Sequence, residues 1–173
     1  MLAEGRAERN VTTKSDPKEL LKTTTGDDNQ IQGNGTPLLV AAGLGRNDDF
    51  SAAETKLALA AVTTLVEMGA DVNLANDTGW TPLHAAAFMG ADSVVSYLIS
   101  KGAKLNVRNG CGQTPLSLAE GSDSKGLLQR AIPHPSTAKI LTDAGALKNS
   151  NEKPVGQCVL GRHGLEYADV QTK

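Results

Sequence analysis

The chain repeats itself every 33 residues, and this limits its fold more than any other feature. Thr81-Pro82-Leu83 recurs as Thr114-Pro115-Leu116, and Gly79 recurs as Gly112. "GADVN" at 69–73 recurs as "GAKLN" at 102–106, again 33 residues on. Anchors that share one period describe a chain made by stacking one unit. Two further copies carry insertions. Thr36-Pro37-Leu38 precedes the central copy by 45 residues, which is the period plus 12. Gly145-Ala146 follows Gly102-Ala103 by 43 residues, the period plus 10.

The central unit can be read from its residues. Thr81 is a helix N-cap, its hydroxyl available to an orphan N–H of the first turn. Pro82 suits the first helical position, where its missing N–H costs nothing. Leu83, Ala86 and Ala87 share one stripe of that helix, and Gly90 ends it. A second helix is expected over 93–101, with Val94, Val95, Leu98 and Ile99 as its apolar stripe and Gly102 as its stop. "AKLNVRNGCG" then makes an extended turn leading to Thr114. One turn-helix-turn-helix unit cannot bury its own apolar face, but stacked copies can. Aromatics are 3% of the chain and glycines number 18, which suits thin, closely packed helices.

"GWTPLHAAAFMGADSVVSYLISKGAKLN" closely resembles an ankyrin repeat, whose signature is T-P-L-H-x-A at a period of 33. Thr81-Pro82-Leu83-His84-Ala85-Ala86 matches it directly. The third copy departs with Ser117 and the first with Leu39 at the histidine position. The resemblance covers residues 33–146. It implies an all-α helical solenoid of paired antiparallel helices with β-hairpin-like turns. The layout also resembles bacterial ankyrin-repeat proteins in which a "TPLLxAA" copy with an insert precedes a clean copy and an "AEG" copy; here those are 36–42, 81–87 and 119–121.

Three segments follow: a polar stretch at 1–30, a repeat domain at 31–148 (units at about 31–75, 76–108 and 109–148) and a tail at 149–173. Within 1–30, residues 16–30 read as the worn second half of a preceding repeat, with Leu20 and Leu21 apolar and Gly26 as the stop. In the first unit Ser51 and Glu54 form a capping box. Residues 52–68 read as one long helix with Leu57, Ala61, Leu65 and Met68 on a face, after a loop at 46–50. In the third unit the extra residues fall within "SDSKGLLQRAIPHP" at 122–135, and the last helix is expected at 136–144. The tail fits no repeat and is read as a flexible segment or a cover for the last helix.

Net charge is −2, without the clustered positive charge that nucleic acid or an anionic membrane calls for. No stretch reads as a signal peptide or a membrane span, so the expectation is a cytoplasmic chain. Cys111 and Cys158 read as free thiols in a reducing compartment, with a disulfide between them as the alternative. No spacing of Cys, His or carboxylates fits a metal site, and no cofactor or small-molecule substrate is expected. A Cys–His catalyst needs converging groups. Cys111, in a turn between glycines, has no base near it in sequence. In the repeat setting His84 is structural, bonding the Thr81 hydroxyl and nearby backbone. His134, between two prolines, reads as a loop residue, and Asp48-Asp49 as a solvated loop.

Function is therefore expected in a surface. The resemblance implies that partners bind the turn tips and the exposed side of the first helix. Carried over, these positions are Asp77, Thr78, Trp80, Phe88, Met89 and Arg108, then Gly110, Cys111 and Gln113. Trp80, Phe88 and Met89 either form a docking patch or pack against neighbouring turns. Thr81, Pro82, Leu83, His84, Thr114, Pro115 and Leu116 are the frame. The leading expectation is a non-catalytic module that binds a protein partner through its concave face. The alternatives are a C-terminal piece of a larger ankyrin-bearing protein and a small enzyme using Cys158 and His163.

Overall fold

The computed structural model describes residues 35–46, 49–76, 78–110, 112–121, 132–148, 157–161 and 164–168. Among the described residues, six helices follow in pairs. The first pair is α1 (Pro37–Ala41) and α2 (Ala52–Glu67), the second α3 (Pro82–Phe88) and α4 (Asp92–Ser100), the third α5 (Pro115–Glu120) and α6 (Pro135–Asp143). α1, α3 and α5 stack as one layer, and α2, α4 and α6 as a second. Each pair touches its neighbour, as a solenoid requires.

The first helix of every pair starts on the same dipeptide. Proline stands at the opening of α1, α3 and α5 behind Thr36, Thr81 and Thr114, all extended at the cap. The caps then differ. Thr36 Oγ1 accepts from Leu39 N at 3.2 Å, and Thr114 Oγ1 accepts from Ser117 N at 3.2 Å. The Thr81 hydroxyl lies 2.8 Å from His84 Nδ1 instead. The second helices bury the aliphatic stripe: Val94, Val95 and Leu98 have no exposure. At about 1.5–3 kcal/mol per fully buried aliphatic side chain, these three weigh heavily against the entropy of ordering α4.

Asparagines tie tier to tier. Asn73 donates to Gly102 O at 3.0 Å and accepts from Lys104 N at 2.8 Å. Asn106, one period later, accepts from Leu147 N at 2.8 Å.

The first insertion lengthens a helix, as expected: α2 has 16 residues against 9 in α4. Its capping box forms, with Ser51 N donating to Glu54 at 2.9 Å and Glu54 N to Ser51 Oγ at 3.3 Å. Bonds from Ser51, then Arg46, hold the Glu54 carboxyl below the usual carboxylate range. The expected apolar face of α2 is corrected. Ala58 and Val62 are its buried residues, Leu65 is partly buried, and Leu57 and Met68 are exposed. α2 packs on α1 and α4, and the stripe at Leu57 lies off the side that meets them.

The tail departs from a plain flexible segment. β1 (Gln157–Gly161) and β2 (Gly164–Ala168) pair antiparallel, with Cys158 opposite Tyr167 and Gly161 opposite Gly164. His163 lies outside the described residues, as do residues 1–34 with Leu20, Leu21 and Gly26.

Candidate functional site

The turns between tiers are built by asparagine. Asn76 Oδ1 accepts from Thr78 N at 3.1 Å and from Trp80 N at 2.8 Å, while Asn76 N donates to Trp80 O at 3.0 Å. One period on, Asn109 Oδ1 accepts from Gln113 N at 2.9 Å, and Asn109 N donates to Gln113 O at 2.9 Å. A short polar side chain that bonds its own backbone is what such a turn needs. The two tips are joined by Gly110 N donating to Thr78 O at 2.8 Å. Gly79 permits this approach: its φ is +77, and a Cβ there would stand 2.9 Å from Gly110 N. In the sequence, only their 33-residue spacing marks Asn76 and Asn109 as turn builders.

The carried-over positions divide. Trp80 and Met89 are buried, at 3% and 2% exposure, which corrects the docking-patch expectation for both. Trp80 is edge-on to Phe88, with centroids 5.9 Å apart, and 6.1 Å from the His84 ring. Met89 sits against Gly43 beside Phe50 of the first insertion. Gln113 is buried too. Its side chain accepts from Asn109 Nδ2 at 3.0 Å and its carbonyl faces His84. Phe88 and Thr78 are half-buried, and Arg108 is exposed, with Nη1 donating to Gly112 O at 3.2 Å. Asp77 and Cys111 lie outside the described residues. Among the described residues, Arg108 is exposed at the tips and Thr78, Gly110 and Gly112 are half-buried there, with half-buried Phe88 on the flank.

His84 is bonded on both ring nitrogens by the frame. Thr81 N donates to Nδ1 at 3.2 Å, and Nε2 meets Gln113 O at 3.1 Å. Burial in this apolar setting pushes its pKa down to about 4, against the opposing pull of the Gln113 and Val107 backbone. Such a ring stays neutral at neutral pH, with both nitrogens occupied by the frame, so it offers no free base.

His134 is more than a loop residue. Its Nε2 lies 3.1 Å from Phe88 O and 3.7 Å from Asp49 Oδ1, and its ring covers Gly90. Asp49 belongs to the first insertion and His134 to the last. Both insertions therefore close on the α3–α4 turn of the central unit, at the end of α3 remote from the tips. Arg46 lies over Phe50 at 4.7 Å and pairs with Glu54 at 2.6 Å, which holds the first insertion in place. The contacts of His134 with Phe88 and Asp49 were not visible from spacing, because each joins residues more than 40 positions apart.

Among the described residues no group of three His, Cys, Asp or Glu could hold a metal ion, and no helix is long and apolar enough to cross a membrane. No curated relative matches the chain. A family model for ankyrin repeats in three copies matches residues 13–109 and, overlapping, 50–152. With the Thr-Pro-Leu helix starts, the paired layers and the asparagine turns, that match covers most of the sequence: the chain belongs to the ankyrin-repeat family.

Proposed function

We propose that this chain is a protein-binding module whose partner seats on the turn tips. Ankyrin repeats generally serve protein–protein interaction and are typically non-catalytic. The observation that carries the reading is the bond between consecutive tips, Gly110 N to Thr78 O. It makes one platform of two turns before any partner arrives. A preorganised platform loses little entropy on binding. Arg108 stands exposed on it, and arginine is enriched in interfaces because its planar fork bonds carboxylates and carbonyls in pairs. Phe88 adds an apolar edge. A partner with an acidic or carbonyl-rich loop fits this surface.

The test is affinity capture with the intact chain against an Arg108→Glu/Thr78→Lys variant, each checked for native circular dichroism. A protein retained by the first and lost by the second supports the tip surface. Equal retention by both moves the site elsewhere. Trp80 and Met89 are unsuitable probes, since truncating them opens the core.

A further inference from the structure

Helix α2 carries a second apolar face, turned away from the stack. Ala53, Leu57, Ala60, Ala61, Thr64 and Met68 are all exposed, Leu57 at 71% and Met68 at 47%. Met68 is the C-cap and keeps right-handed helical geometry, so one helical wheel holds all six. At 3.6 residues per turn they fall within an arc of roughly 100°. Ala58, Leu59, Val62 and Val66 pack into the core, and their arc is centred about 160° away. That is the side by which α2 meets α1 and α4. The Thr64 hydroxyl donates to Ala60 O at 3.0 Å, so covering the outer face strands no hydroxyl donor.

We propose that this face closes on the same face of a second copy, helix against antiparallel helix, about a twofold axis that passes between Ala61 and Thr64. Leu57, Ala61, Thr64 and Met68 follow at intervals of 4, 3 and 4, the seam spacing of paired helices. The alanines let two backbones approach closely. Self-complementarity selects the occupant. Leu57 and Met68 are 11 residues apart, and so are Lys56 and Glu67. Eleven residues make three turns to within about 20°. An isologous antiparallel pair therefore sets Leu57 on Met68 of the second copy and Lys56 on Glu67 of the second copy, each contact made twice. Lys56 and Glu67 border the face along one edge and are exposed. Among the described residues neither has an ion-pair partner. A parallel pair would set like charges against each other. One helix pair covers less than the roughly 1,200–2,000 Å² of a standard interface, so the dimer is weak, with a dissociation constant on the order of 10–100 μM. The tip surface takes no part in this contact, and either reading can fail alone.

Sedimentation equilibrium of the full chain, over a concentration series that brackets this value, tests it. A monomer–dimer equilibrium is expected. Leu57→Glu is expected to abolish the dimer, with circular dichroism unchanged because Leu57 is exposed. Lys56→Glu should raise the dissociation constant roughly tenfold, since two attractive pairs become repulsive. Lys56→Glu/Glu67→Lys should restore it to within about threefold. A monomer throughout the series would overturn the proposal by leaving the face to solvent, to the chain's own residues or to another protein. A dimer that withstands Leu57→Glu, or a charge exchange that restores nothing, would overturn it as well. Cross-linking reads the orientation. In a Cys111→Ser/Cys158→Ser background, a Leu57→Cys chain is mixed with a Met68→Cys chain. Under mild oxidation the mixed disulfide is expected to outnumber links between two Leu57→Cys chains. The reverse would assign a parallel pair and sink the antiparallel arrangement.

Discussion

His84 Nε2 lies 3.1 Å from the carbonyl oxygen of Gln113, 29 residues away, while its Nδ1 accepts from Thr81 N of its own unit. One neutral ring thus joins a helix cap to the next turn. Nδ1 must stay unprotonated to accept, so Nε2 carries the hydrogen donated to Gln113.

This predicts a pH dependence of stability. The folded ring titrates near 4, below the ordinary imidazole value of 6.5. Between these values the unfolded chain binds more protons, so the ring's contribution is fully present above pH 6.5 and is lost as pH falls toward 4. The full loss is about 3 kcal/mol. Urea midpoints from pH 7.5 to 4 should fall for the native chain. The fall should be shallower in His84→Ser, which borrows the cap of the third unit, where Ser117 Oγ accepts from Thr114 N at 2.9 Å.

Gly90 and Gly102 both hold positive φ, at +64 and +86, yet alanine should not affect them equally. A Cβ at Gly102 meets nothing within 4 Å, whereas at Gly90 it would run into the His134 ring. Gly102→Ala is expected to cost about 1–2 kcal/mol of backbone strain. Gly90→Ala should cost clearly more, and His134→Ala should recover part of the difference. A thermal double-mutant cycle measures this.

Asn109 is buried and holds the second tip. Asn109→Ala leaves Gln113 N without its acceptor, which costs about 1–3 kcal/mol. Amide exchange at Gln113 and Gly112 should rise more than exchange in α4.

Leu98 has no exposure and sits among Val94, Val95 and the neighbouring tiers. Leu98→Ala is expected to lower stability by about 2–5 kcal/mol. Equilibrium denaturation should show this as a lower midpoint.

Much of the fold was legible because it is local. Thr-Pro-Leu at a fixed period sets helix starts through a cap and a proline, glycines set helix ends, and Ser51 with Glu54 starts α2; each rests on contacts within four residues. The errors fell where a side chain's partner is distant. The stripe at Leu57 has helical spacing, but spacing does not say which flank meets a neighbour. Trp80 and Met89 stood at positions that resemblance assigned to a partner, while the Phe88 ring and the Phe50 insertion cover them. His134 read as a loop residue because Phe88 and Asp49 are far away in sequence.

The sequence by itself thus determined the unit, its period and its stacking, since helix caps, breakers and apolar stripes act within one or two turns. Only the tertiary structure decided which apolar residues face solvent. It also decided that both insertions close on the central turn and that consecutive tips form one platform. Burial and long-range hydrogen bonds depend on how tiers sit against one another, and no local pattern carries that information.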